Sequence, residues 1–398
     1  KCFEKDSESW STLVQWLRDG APNDPKDIAK PISVEILPKN ALMEGAGTTQ
    51  RMTVIARYSD GTDRDITPLT VFQSNNELSA AIDEHGLVTA GKRGEAFITA
   101  RFNVFTVGAQ FVVIPNNLKY ERPKLAENNY VDKLVHDKLH KLRIGPSELC
   151  SDEVFLRRVS LDVTGSLPST ETYKKFMADK SKDKRAKLVD EFLERKEFTE
   201  MWVMKFAELL QIRTDDNNGM SYKSTLLYFN WLKDRIANNV PMDKIVRELL
   251  SSTGGTFVNP STNFYQVERD PLKLTENVAQ VFMGMRLQCA QCHNHPFDRW
   301  TQNDYYSFAS FFSQVGRKRA ADPRESIIYN RRSGETNHPV LKKPMPPKFL
   351  GGETPVIKSG QDRRIILSEW IASPDNPFFA RNLANLVWAH FFGQGIID

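Results

Sequence analysis

Gly94-Glu95-Ala96-Phe97-Ile98-Thr99-Ala100-Arg101-Phe102 and, after Asn103-Val104, Phe105-Thr106-Val107-Gly108-Ala109-Gln110-Phe111-Val112-Val113-Ile114 decide the fold of the first part of the chain. Ala96, Ile98 and Ala100 alternate, and Val107, Ala109, Phe111 and Val113 repeat the pattern. A period of two is that of a half-buried strand. Upstream, Met52, Val54, Ala56 and Tyr58 alternate with polar residues and stop at Asp60-Gly61, a hairpin-turn signal. Gly86, Gly91 and Gly94 punctuate the gaps. About six or seven short strands at this spacing predict a β-sandwich over 31–115.

The remainder reads differently. Residues 1–30 hold one amphipathic helix, with Trp10, Leu13, Val14 and Leu17 on a face, broken by Gly20, Pro22, Asp24 and Pro25. Residues 116–127 form a linker around Asn116-Asn117 and Pro123. From 128 the period is helical. Val131, Leu134, Val135, Leu139 and Leu142 make one stripe; Leu188, Val189, Phe192 and Leu193 make another. Tyr305, Phe308, Ala309, Phe312 and Val315 make the last, opened by a Thr301/Asp304 capping box. The expectation is an all-α domain over 128–320, a Pro-, Gly- and Arg-rich loop over 321–360, and helix again over 361–398. The fold class is thus multidomain, all-β and then all-α.

Composition bounds the function. The 398 residues carry 54 basic and 50 acidic side chains, too even for a nucleic-acid binder. No run of about 18 apolar residues predicts a transmembrane helix. Lys1-Cys2 without Met reads as a mature or cut product, and the apolar tail Gly395-Ile396-Ile397-Asp398 as an interrupted domain.

One motif carries chemistry. Cys289-Ala290-Gln291-Cys292-His293 is C-x-x-C-H, the attachment signature of c-type haem. Two thiols one turn apart suit the two vinyl groups of one porphyrin, and the adjacent imidazole suits the iron as proximal ligand. Phe297, Trp300, Tyr305, Phe308, Phe311 and Phe312 follow and would wall a planar cofactor, with Phe297 and Trp300 nearest; taken alone, such a stripe is core. Cys289 and Cys292 with His293 or His295 could instead hold zinc, but no second ligand pair follows at a typical spacing. A dithiol redox centre is a further reading, without the βαβ context of such motifs. For the distal iron ligand the sequence offers His136, His140, His295, His338, Met283, Met285 and Met345, and His390 on an apolar helix beside Trp388. Asp60, Asp63 and Asp65, and Asp215-Asp216-Asn217-Asn218-Gly219, read as polar turns before calcium sites.

Two resemblances add to this. Tyr58 to Gly61, Asp65 to Thr67 and Gly86 to Gly91 resemble bacterial Ig-like domains of the intimin/invasin type. Val281 to Val315, and Phe155-Leu-Arg-Arg through Leu161-Asp-Val-Thr-Gly165-Ser-Leu-Pro168, resemble the planctomycete cytochrome-type domain of unknown function. Asn385-Leu-Val-Trp-Ala-His390-Phe-Phe-Gly393 resembles the start of its companion domain, except that Leu386 stands where Arg is usual. The resemblance implies an exported, periplasmic or cell-surface protein carrying one covalent haem c. A redox partner protein, the remainder of the companion domain, and surface polysaccharide or envelope proteins are the implied partners. In that compartment Cys2 and Cys150 could form a disulfide, the alternatives being a lipidated or a free Cys2. Electron transfer is the leading expectation. A haem enzyme with an open distal site, peroxidase- or oxidase-like, and a surface adhesion protein with a structural Cys pair are the alternatives.

Overall fold

A computed structural model describes residues 5–25, 27–214, 220–296 and 298–397. The chain divides into two compact units, Lys1–Pro146 and Ser147–Asp398.

The first unit opens with α1 (Glu8–Arg18), capped by Ser7, whose hydroxyl accepts the Trp10 N–H at 3.2 Å. Ten strands follow: β1 (Pro31–Leu37), β2 (Asn40–Glu44), β3 (Thr49–Arg51), β4 (Thr53–Tyr58), β5 (Asp63–Asp65), β6 (Val71–Ser74), β7 (Ala80–Ile82), β8 (Leu87–Ala90), β9 (Gly94–Phe102) and β10 (Phe105–Ile114). They form sheets of order β1-β4-β5, β2-β10-β9-β6 and β3-β8-β7. In the β9/β10 hairpin Ala96 faces Phe111, Ile98 faces Ala109 and Ala100 faces Val107. The register therefore keeps the two alternating sets on one face, and they supply much of the unit's core. More strands form than the alternation predicts, because β3, β5 and β7 span three residues each, too few to show a period. The acidic turn is spent internally. Asp60 accepts from Thr62 and pairs with Arg64, Asp63 pairs with Arg57, and Asp65 accepts the Thr67 N–H.

The helix α2 (Tyr130–Lys141) groups with this compact unit. Charge anchors it there: Lys138 pairs with Glu95, and the Arg93 guanidinium donates to Leu142 O at 2.7 Å. Sequence periodicity reports that α2 is a helix but not which unit it packs against.

The second unit contains α3 (Asp152–Thr164), α4 (Thr170–Ala178), α5 (Lys184–Leu193), α6 (Lys196–Leu209), α7 (Tyr222–Ala237), α8 (Met242–Leu250), β11 (Gly254–Gly255), α9 (Phe264–Val267), α10 (Pro271–Met283), α11 (Gln302–Ala309), β12 (Val315–Arg319), β13 (Ser326–Asn330), α12 (Arg363–Ile371) and α13 (Phe379–Phe392). It is not all-α: β11, β13 and β12 form a small antiparallel sheet. The last apolar stripe misled. The expected Thr301/Asp304 capping box is present, but α11 ends at Ala309, and Phe312 and Val315 are buried from a turn and from β12. A segment buried on all sides shows apolar residues at helical spacing without being helical. One large core holds α6 to α11 and α12, and α3, α4 and α5 share a smaller one around Leu156 and Phe192. Among the described residues no helix is long and apolar enough to cross a membrane.

Candidate functional site

The C-x-x-C-H segment owes its position to Gly284. This residue ends α10 in the left-handed conformation, at φ +69°. A Cβ there would meet Asn382 Oδ1 at 2.7 Å, so glycine alone lets the chain turn this close to α13. Met285, Leu287 and Ala290 then bury themselves, while the residues between them face outward. Residues Gln288–Gln291 form a 3-10 turn, and the amides of Cys292 and His293 both point at Cys289 O.

The turn is strapped to the start of α11. Gln291 O accepts from Gln302 Nε2 at 3.0 Å and from the Tyr306 hydroxyl at 3.2 Å. Asn294 Oδ1 accepts the Gln302 N–H at 3.1 Å, and Trp300 O accepts the His295 N–H at 2.7 Å. Burial, and after it the nearby Cys292 sulfur, raises the Tyr306 pKa, so the phenol stays a donor.

On this frame Cys289 and Cys292 are exposed free thiols. His293 is exposed, and its Nδ1 lies 2.7 Å from Asn294 O. A carbonyl can only accept, so Nδ1 carries a proton, and in the neutral ring the lone pair is on Nε2. Two reachable thiols and one imidazole with a bare Nε2 are the donor set a covalent haem requires. They fit that group.

The expected surround does not assemble as a wall. Tyr305, Phe308, Phe311 and Phe312 are at most 1% exposed; Phe308 packs on Phe311 and Phe312, Phe311 stacks on Phe349, and Tyr305 lies edge-on to Tyr306. Trp300 is buried edge-on to Phe378 and supports the turn from its inner side, its indole N–H without a partner among the described residues. Phe297 lies outside the described residues, as do Cys2 and the 215–219 turn. Cys150 is an exposed free thiol.

The distal candidates are scattered. His390, the leading one, lies 2.6 Å from Asp162 O through Nε2 and packs on Trp202. That nitrogen is engaged by α3, and among the described residues no hydrogen bond or ring contact joins His390 to the Cys289–His293 turn. His338 is buried, accepts the Val340 and Leu341 amides on Nδ1, and packs against Tyr306. Met283, Met285 and Met345 are core residues. His136 and His140 sit on α2 of the first unit, near Glu127 and Tyr120 respectively. No group of three or more His, Cys, Asp or Glu is arranged to hold a metal ion among the described residues.

Sequence reasoning missed Asn294, Gln302 and Tyr306, which hold the turn. Of these, only the capping box next to Gln302 left a trace.

Two family models match the chain. Residues 130–317 match PSCyt2, a protein of unknown function (DUF1549). Residues 363–398 match PSD1, a protein of unknown function (DUF1553). The pair is consistent with planctomycete-type domains of unknown function. No curated protein matches the chain.

Proposed function

We propose that this is an exported c-type haem protein that transfers electrons at the cell envelope. One observation carries the reading. Two exposed thiols three positions apart precede an imidazole whose Nδ1–H is tied to Asn294 O, leaving Nε2 as a ligand. Cys289 and Cys292 would hold the haem as thioethers and His293 its iron; a haem so held supplies one-electron exchange. The role of the chain is then to orient. The Asn294 carbonyl sets the His293 tautomer and makes Nε2 more basic. Gln302 and Tyr306 fix the turn through Gln291 O. The first unit is read as an Ig-like module that docks envelope components. Export follows from the haem, since covalent attachment takes place outside the cytoplasm.

The free, exposed state of Cys289 and Cys292 favours one second reading, a dithiol redox centre. One experiment separates the two. The chain is produced in the periplasm of a host with a c-type maturation system, then denatured and reduced in alkaline pyridine. The expected result is a c-type absorption band and a mass gain of one haem, both lost in Cys289→Ser/Cys292→Ser. A polypeptide without covalent haem under these conditions overturns the proposal. A reversible loss of two alkylatable thiols on oxidation then establishes the dithiol.

A further inference from the structure

Residues 331–362 contain neither helix nor strand, yet they are fixed. The His338 N–H donates to Lys343 O and the Met345 N–H to Thr336 O, both at 2.9 Å. Ser313 Oγ donates to Gly334 O at 2.9 Å. Irregular segments longer than about 15 residues inside a compact unit are uncommon and usually serve function.

This segment, with Gln314 and the start of α12, encloses a groove of about 670 Å³. Small-molecule sites span roughly 300–1,000 Å³. Its lining combines apolar and charged groups: four prolines and Met345 beside Arg332, Lys358, Arg363 and Glu335. Arg363 is locked in place. It donates to Ser310 O at 3.0 Å and Ser313 Oγ at 3.1 Å, and forks onto both Glu335 oxygens at 3.1 and 2.7 Å. Glu335 is thereby neutralised. Arg332 and Lys358 have no ion-pair or hydrogen-bond partner for their side chains among the described residues. A preformed concave site with two uncommitted cations and no uncommitted carboxylate attracts an anion. The prolines and Met345 favour a carbon skeleton behind that anion over a bare ion.

We infer that this groove binds a small organic oxyanion, a carboxylate or a sulfate ester on a compact carbon skeleton. The inference does not depend on haem. It is tested by calorimetric titration of the full chain at fixed ionic strength with D-galacturonate, glucose 6-sulfate, inorganic sulfate and neutral D-galactose. Saturable binding of either organic anion, with galactose inert, is the expected result, and the stronger of the two names the head group. Arg332→Ala/Lys358→Ala alters two exposed side chains and should weaken binding about tenfold. Three outcomes overturn the inference: no binding tighter than about 10 mM, equal binding of galactose, or an affinity unchanged in the double variant. Binding of inorganic sulfate as strong as that of both organic anions also overturns it.

Discussion

The buried pair Asp362–Arg364 holds the start of α12, and with it the groove-lining Arg363. Arg364 is 1% exposed. Its Nε and Nη2 donate to the two Asp362 oxygens at 3.0 and 2.7 Å, and its Nη1 donates to Ser252 O at 3.0 Å. Burial opposes the charge, but Tyr265 and Asp362 outweigh it and hold the guanidinium protonated above its ordinary range. Asp362 also caps α12 by accepting the Arg364 N–H at 3.0 Å. Asp362→Ala removes both roles. Stranding a buried charge costs about 3–5 kcal/mol, and losing the cap costs about 1 kcal/mol. The total of roughly 4–6 kcal/mol is a large share of a domain's stability, about 5–15 kcal/mol. With a urea m-value of about 3 kcal/mol/M, the midpoint should fall by about 1.3–2 M. Arg364→Met removes the charge itself and leaves Asp362 as a cap, so it should cost only about 2 kcal/mol. The double variant should then be more stable than Asp362→Ala alone. Tryptophan fluorescence during urea unfolding reads this, since Trp202, Trp231, Trp300, Trp370 and Trp388 all lie in the second unit. An Asp362→Ala cost within about 1 kcal/mol, or a double variant weaker than that single one, refutes the reasoning.

Further predictions rest on other contacts. Gly334 sits at φ +138°, and a Cβ there would meet Ser313 O at 2.7 Å. Gly334→Ala should therefore destabilise by about 2 kcal/mol and raise hydrogen exchange across 331–345, read by mass spectrometry. In the chain produced without haem, Tyr306→Phe removes one of two donors to Gln291 O and should speed iodoacetamide labelling of Cys292 about fivefold. Adding Gln302→Ala should speed it further, and unchanged rates would show that the strap does not restrain the turn. The side-chain hydrogen bonds from Lys184 and then Arg185 hold the Asp152 carboxyl below its usual pKa. A depressed folded pKa adds stability that is present above about pH 4 and lost as pH falls through the folded value. Asp152→Asn should flatten acid unfolding below about pH 4, measured as urea midpoint against pH, and leave the slope near neutrality unchanged.

What the sequence made legible followed from how far each signal reaches along the chain. Period-two alternation at 94–114 and the Thr301/Asp304 box are local, and both elements formed where local rules place them. The C-x-x-C-H donors are local too, so their identity, mutual spacing and exposure come from a few neighbouring residues. The surround is not local. Whether Phe311 or Trp300 faces a cofactor or the core depends on partners such as Phe349 and Phe378, which lie tens of residues away. An aromatic stripe has the same spacing in either case, and here the core claims it. His390 shows the same limit from the other side. Its place on an apolar helix suggested a pocket, but its Nε2 is engaged by a carbonyl of α3, more than two hundred positions earlier in the chain. The groove between 331 and 363 was the least legible of all, because no period marks a loop whose shape comes from scattered backbone hydrogen bonds. Its cations were visible in the sequence only as a basic, proline-rich run. Their significance lies in which of them the fold neutralises, Arg363 through Glu335, and which it leaves uncommitted, Arg332 and Lys358.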